Sequence, residues 1–137
     1  MSDQNKSVVR RWVERGFNGR DMAEFDIYYS ADLVDHGLPP GLPPGREGRK
    51  LFASAFFIAF PDVHLHVDDL IAEGDTVVAR WSAHGTHLGE LMGIPATGKP
   101  VNITGIVIDR FENGQAVELW EVFDQFGLMQ QLGVIPS

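Results

Sequence analysis

The order of hydrophobic periods along this chain predicts an α+β fold built on a curved antiparallel or mixed sheet. As far as Phe60 the apolar residues recur mostly every three or four positions, which marks helices with one buried side. From Val63 to Phe123 they alternate with polar residues, which marks half-buried strands. Helices first and a meander of long strands afterwards imply helices packed on one face of the sheet, which curls around them into a cone with an apolar mouth. A length of 137 residues suits one domain over 1–137, and at this size folding buries roughly 70% of the unfolded surface, enough for a core with a cavity.

The elements follow in the order α-α-β-α-β-β-β-β with a short helix at the C-terminus. Ser2 or Asp3 can cap a first helix whose face is Val8, Val9, Trp12 and Val13 and which Gly16 ends. Asn18 to Asp21 is a turn into a second helix with Met22, Phe25 and Tyr29 at helical spacing. Leu33 to His36 reads as a short strand, and Gly37 to Gly45, twice Gly-Leu-Pro-Pro, as a stiff loop. Arg46 to Phe60 is a third, strongly apolar helix ended before Pro61. Three long strands follow at Val63 to Ala72, Thr76 to His87 and Val101 to Phe111. Between the second and third of these lies Leu88 to Pro100, whose Gly89, Gly93 and Gly98 and apolar Leu91, Met92 and Ile94 suit a mobile rim that closes over a ligand.

The last strand and the helix after it carry two acids. Val117, Leu119, Glu121 and Phe123 alternate with Glu118, Trp120, Val122 and Asp124, so Glu121 and Asp124 stand on opposite faces. Asp124 precedes a helical run closed by Gly133 and is the natural N-cap. Glu121 sits mid-strand between large apolar neighbours, either at a cavity or on an exposed sheet face. Which acid faces inward depends on the hairpin at Glu112-Asn113-Gly114. A two-residue turn sets Ile106 opposite Glu121. A three-residue turn with Gly114 left-handed sets Gly105 opposite Glu121 and Val107 opposite Leu119, and this form suits the Glu-Asn-Gly sequence. Glu121 is then the cavity acid, and Ile106, Ile108, Trp120 and Val122 form an apolar patch on the reverse face, which predicts a homodimer built through sheet faces.

Composition excludes several function classes. With 44% hydrophobic and 22% charged residues the chain is an ordinary globular one, and with no cysteine it has neither disulfides nor thiolate chemistry. A net charge of -8 argues against nucleic acid as a partner, which needs clustered Lys and Arg. The polar N-terminus has no signal-type apolar core and no run is long enough to span a bilayer, so a cytoplasmic protein away from membranes is expected. Neither phosphate-binding glycine pattern occurs, and no nucleophile with an adjacent base is visible.

Trp81, Gly85-Thr86-His87-x-Gly89-Glu90, Met92 to Val101, and Trp120 to Asp124 with Gly127 to Gly133 together resemble the SnoaL-like polyketide cyclases. The resemblance extends to Asp35-His36 and Pro43 to Gly48 and so covers nearly the whole chain. It implies the cone of the nuclear transport factor two-like superfamily, which hosts cyclases, isomerases and dehydratases, some hydroxylases, and proteins without known chemistry. In the characterised cyclases an acid of the last strand serves as general acid and base in an intramolecular aldol closure without metal or cofactor, and Glu121 matches its position. Those cyclases carry a Gln and a His on the preceding strand where this chain has Gly105 and Val107. His36, His84 and Arg80 are the candidates to replace them.

The resulting candidate catalytic residues are Glu121 as base, His36 as an oxyanion donor and Asp124 as the alternative acid. Candidate ligand-binding residues are Trp12, Tyr29, Phe56, Phe60, Arg80, His84, Met92, Val107, Leu119, Trp120 and Met129, the aromatics among them otherwise ordinary core residues. Arg80 and His84 enter the cavity or, as the alternation with Val77, Ala79, Trp81 and Ala83 suggests, stay solvated. His64, His66 and Asp68 superficially suggest a metal, but they lie opposite the apolar Val63, Leu65 and Val67 and read as a solvated row, so no metal or cofactor is expected. The function expected is a cofactor-independent cyclase, isomerase or dehydratase acting on a hydrophobic carbonyl compound. The alternative is a non-catalytic module that uses the same cone to bind a small molecule or to dimerise.

Overall fold

The helices and strands come in the order that the change of period predicts. A computed structural model describes residues 2–135. Helix α1 (Ser2–Arg11) runs into a π-helical turn (Trp12–Phe17), then come α2 (Met22–Tyr28), β1 (Tyr29–Asp35), α3 (Gly45–Ala59), β2 (His64–Glu73), β3 (Thr76–Thr86), β4 (Pro100–Glu112), β5 (Gln115–Phe123) and α4 (Gln125–Leu132). The sheet order is β1-β5-β4-β3-β2. Strand β1 joins β5 in parallel and the other neighbours pair antiparallel, so the sheet is mixed. Among the described residues no helix is long and apolar enough to cross a membrane.

Three local differences from expectation stand out, the last two with causes in packing and strand pairing. Ser2 and Asp3 lie inside the first turn of α1 rather than ahead of it. The first helix does not stop at Gly16 but widens into the π turn, where a Cβ on Gly16 would stand 2.8 Å from Trp12 Cδ1, so the bare glycine lets the indole pack down. Strand β1 begins at Tyr29, not Leu33, because Tyr29 finds a pairing partner in Ala116 far along the chain.

The hairpin between β4 and β5 differs in detail from the favoured one. Asn113 and Gly114 both have positive φ, 51° and 79°, and Glu112 pairs with Gln115, so the turn has two residues, not three. The register then shifts between Arg110 and Phe111, where Val117 is the extra residue of a bulge. Beyond the bulge Val107 faces Glu121 and Gly105 faces Phe123, instead of Leu119 and Glu121. One extra residue restores the parity that the longer turn would have produced. Glu121, Val107, Gly105, Asp109 and Leu119 therefore share the inner face, while Ile106, Ile108, Trp120 and Val122 share the outer one.

Two apolar clusters fill the cone. One unites Val9, Val13, Phe25, Tyr28 and Tyr29 with Val77, Phe111 and Leu119; the other unites Ala59, Phe60 and Val63 with Ile103, Leu128 and Leu132. A cavity remains between them.

Candidate functional site

Helix α3 reaches the cavity with one face. Arg49, Phe52, Ala53 and Phe56 recur at three- and four-residue spacing and all line it. Arg49 is the only charged residue on that face, and its guanidinium meets two carboxylates from different strands. Nε and Nη2 donate to Asp35 Oδ2 and Oδ1 at 2.7 and 2.8 Å, and Nη1 donates to Glu121 Oε1 at 2.7 Å. The Arg49, Asp35 and Glu121 side chains are 9%, 1% and 14% exposed. Burial acts to lower the Arg49 pKa, but the Asp35 hydrogen bonds and the Glu121 charge outweigh it, so the guanidinium stays charged well above the usual range. One cation against two carboxylates leaves this buried cluster with a net negative charge.

A second polar pair lies further along the inner face. Asp109 pairs with Val77 on β3 and Leu119 on β5, both buried apolar residues. Tyr28 Oη donates to Asp109 Oδ2 at 2.6 Å, whereas Oδ1 has no partner. Burial pushes the Asp109 carboxyl up to about 7, the Tyr28 hydrogen bond pulls against it, and the Glu121 charge adds to the rise. Tyr28 is itself driven well above its ordinary value, by burial first and then by Asp109. It is held in place by Trp12, stacked at 5.0 Å, and by Tyr29, edge-on at 4.8 Å.

The cavity measures about 100 Å³, and its wall is apolar except for Arg49, Asp109, Glu121 and the polar edges of Trp12, Trp81, Tyr28 and Tyr29. Trp81 packs against Gly105, where a Cβ would collide with indole Cζ2. The bare backbone at Gly105 is thus filled by a ring from β3. An open cleft adjoins the cavity, lined by Gly37, Glu121, Val122, Phe123, Asp124, Gln125 and Phe126. Glu121 and Phe123 border both spaces. Gly37 packs over Glu121 so closely that a Cβ there would stand 2.9 Å from Glu121 Cβ.

The residues singled out from sequence separate into three groups. Glu121, Trp12, Tyr29, Phe56 and Val107 line the cavity. Phe60 and Leu119 are fully buried in the clusters behind it, and Met129 is half-buried on α4; none of the three belongs to its wall. His36, Arg80, His84 and Trp120 do not line the cavity, which corrects their place among the site residues: Arg80 and His84 stay outside, as the alternation of β3 suggested, Trp120 is on the outer parity of β5, and His36 lies just past the end of β1. His36 Nε2 meets Glu118 Oε2 at 2.8 Å and its ring stacks on Trp120 at 5.0 Å. Arg80 is paired with Asp69 at 2.7 Å. His84 stands beside His64 and His66, with ring centroids 5.8 and 5.3 Å away. Among the described residues no group of three His, Asp or Glu could hold a metal.

Met92 and its loop are a further correction. Leu88 and Gly89 N–H donate to Ala59 O, Leu91 is buried, and no residue between 88 and 99 touches the cavity. Met92 stands exposed at the tip, in a tight turn with Gly93 that gives both residues positive φ. Asp124 caps α4, accepting from Gly127 N–H at 2.8 Å, and also borders the outer cleft.

Sequence reasoning missed Arg49, Asp35, Tyr28 and Asp109. A signal existed for two of them. Asp109 has the inward parity of Gly105, Val107 and Phe111, and Arg49 lies one helical turn before Phe52 and Ala53.

Known proteins resemble this chain in sequence or in fold. DauD, an aklanonic acid methyl ester cyclase of Streptomyces sp. strain C5, is 29% identical over 92% of this chain and 80% of its own. TsrD from Streptomyces laurentii superposes with a TM-score of 0.88 at 27% identity, over 97% of each chain. IdmH from Streptomyces antibioticus superposes with a TM-score of 0.84 at 33% identity, over 95% of this chain and 99% of its own. The SnoaL-like polyketide cyclase family model matches residues 7–132, and the chain belongs to that family.

Proposed function

We propose that the protein is a cofactor-independent cyclase that closes a ring in a hydrophobic polycarbonyl compound by intramolecular aldol addition, with Glu121 as the base. The observation that carries this reading is the position of Glu121, a largely buried carboxylate between an open cleft and an apolar cavity, oriented by Arg49. Glu121 takes a proton from carbon, the resulting enolate carbon attacks a second carbonyl of the same molecule, and the new alkoxide takes up a proton. One C–H bond breaks, one C–C bond and one O–H bond form, and no redox partner is required. A carboxylate is a weak base as a class, so the C–H bond it opens must be activated, as one between two carbonyls is. The apolar wall and the net charge of -8 suit a neutral or weakly acidic ligand and not a polyanion.

Aklanonic acid methyl ester is the natural first probe, because a relative at 29% identity is named for closing it. Glu121→Gln should lower kcat for ring closure about 100- to 10,000-fold. Its stability should fall by only about 1 kcal/mol, since the amide oxygen still accepts from Arg49. A Glu121→Gln protein as active as the parent, or a wild type that binds the ester without turning it over, would sink the reading.

We also propose a homodimer through the outer sheet face, where Ile106, Trp120 and Val122 are 43%, 40% and 73% exposed. Sedimentation should give a dimer that Val122→Arg splits. A wild-type monomer at micromolar concentration would refute it.

A further inference from the structure

An aldol closure needs a proton donor as well as a base, and the residues first expected to stand opposite the base, His36 and Arg80, lie on the outer face. The inner face offers another group. Asp109 Oδ2 already accepts from Tyr28, so a proton on this carboxyl belongs on Oδ1, the oxygen that has no partner. Left ionised, Oδ1 would be a buried acceptor without a donor beside a cluster that already carries excess negative charge, an arrangement proteins avoid. Protonated, it is an O–H donor at the wall of an apolar cavity.

We propose that Asp109, held by Tyr28, is the neutral acid of this cavity and donates its Oδ1 proton to the carbonyl oxygen of the ligand while Glu121 takes the proton from carbon. The inference rests on the reading of Glu121 given above and adds the second half of the proton inventory. Two carboxyls on one wall, one bonded to a guanidinium and the other with an unpartnered oxygen in apolar surroundings, divide base and acid roles between them. Glu121 faces Val107 and Asp109 faces Leu119, so the two acids are diagonal neighbours on the inner face, roughly 7–8 Å apart in such a sheet. That separation accommodates one C–H group and one C=O group between them. As the C–C bond forms, the carbonyl π pair moves onto oxygen and takes the Asp109 proton. Asp109 is left charged and Glu121 protonated, and transfer of a proton from Glu121 to Asp109 through water that enters as the product leaves restores both. Position 109 is two residues along the same face from Val107, so the polar partner absent at 107 is supplied one pleat away.

The groups that set the protonation of Asp109 come from every neighbouring element. They are Tyr28 on α2, Tyr29 and Asp35 on β1, Arg49 on α3 and Glu121 on β5. Burial, Asp35 and Glu121 favour the neutral acid, while Tyr28 and Arg49 favour the carboxylate.

A first experiment needs no ligand. Carboxyl-carbon NMR of the aspartate-labelled full chain is followed over about pH 5 to 9, where an ordinary Asp is already ionised. One resonance, missing in Asp109→Asn, should titrate near neutrality, and Tyr28→Phe should move it further upward. Should the Asn variant not fold, the Tyr28→Phe displacement makes the assignment. An Asp109 that titrates in the ordinary aspartate range, or one indifferent to Tyr28→Phe, overturns the inference. A second experiment uses aklanonic acid methyl ester. Asp109→Asn should lower kcat about 100-fold or more with little change in KM. The wild-type rate should fall on the alkaline side as Asp109 ionises, and that limb should move upward in Tyr28→Phe. Unchanged kcat in Asp109→Asn refutes the role even if the resonance titrates as expected. If the wild type does not close the ester, the cyclase reading fails, and the NMR titration still decides whether Asp109 is the neutral acid of the cavity.

Discussion

The two faces of strands β4 and β5 put the same kinds of side chain to opposite uses. On the inner face Asp109 and Glu121 are surrounded by aromatic and aliphatic groups, and each depends on one named partner, Tyr28 or Arg49. On the outer face Glu118 bonds both His36 and Arg110 in contact with water, and Ile106, Trp120 and Val122 stand open around them. An ion pair in water is weak because solvent competes for both charges and screens them, whereas a buried one is costly to break because its survivor has nowhere to go. The difference teaches that a carboxylate in a strand of this sheet is informative only together with its parity. Glu118 and Glu121 are three positions apart and stand on opposite faces of the sheet.

The sharpest way to break the comparison is at Arg49. Arg49→Leu keeps the apolar stem and strands Asp35 and Glu121 together without a cation, so a loss of roughly 3–5 kcal/mol is expected in urea unfolding. A loss below about 1 kcal/mol would show that the inner cluster behaves like a surface one.

A pH series tests the other inner acid. The Asp109 carboxyl moves from 3.8 to about 7 on folding, so the native state holds a proton that the unfolded chain releases between those values. Its stabilisation is complete below the unfolded value and is lost as pH rises through the folded one. Stability attributable to this group should therefore decline by a few kcal/mol between about pH 4 and 7, and Asp109→Asn, neutral throughout, should remove the decline. Identical slopes for wild type and variant would count against a buried neutral acid.

Gly105 probes the packing of the inner wall. Gly105→Ala drives a methyl group into Trp81 and should cost about 1–3 kcal/mol, with partial recovery on adding Trp81→Phe. A neutral Gly105→Ala would mean that the indole moves aside freely. At the strand end, Asp124→Ala removes the cap of α4 and should cost about 1 kcal/mol by thermal melting. The smallest effect belongs to the outer face: Arg80→Ala, which breaks an exposed pair with Asp69, should stay within about 0.5 kcal/mol. A larger loss there would erase the distinction between the faces.

Much of this was legible in the chain. The change of period after Phe60 announced the order of elements, the alternation of β5 placed Glu121 and Asp124 on opposite sides, and Asp124 before a helix closed by Gly133 announced its cap. The inward parity of Glu121 was also reached, although by a three-residue turn where the molecule uses two residues and a bulge at Val117. Parity survives such an error because it depends only on whether the count of residues between the strands is odd or even.

Other assignments failed for separate reasons. Arg80 stays solvated, as the alternation of its strand suggested, but His36 follows a short extended segment whose period says nothing about the side on which the chain leaves the sheet. His36 follows the last residue of β1 and turns outward onto Trp120, and only the pairing of β1 with β5 brings those rings together. The loop of Leu91 and Met92 was read as a rim because of its glycines and apolar residues, but none of its residues borders the cavity, and Leu88 and Gly89 N–H bond Ala59 at the end of α3.

The sequence by itself determined the class of fold, the four long strands and which residues within a strand share a face, because these follow from periods of two and 3.6 that neighbouring residues enforce on one another. Only the tertiary structure decided which charges meet. Arg49, Asp35 and Glu121 come from a helix and two strands, and Tyr28 and Asp109 from α2 and β4, so no spacing along the chain encodes their contact. They meet because the sheet curls and presses the helices into its hollow, and inside that hollow low dielectric and lost water bind one acid to a guanidinium and drive the other, Asp109, towards its neutral form.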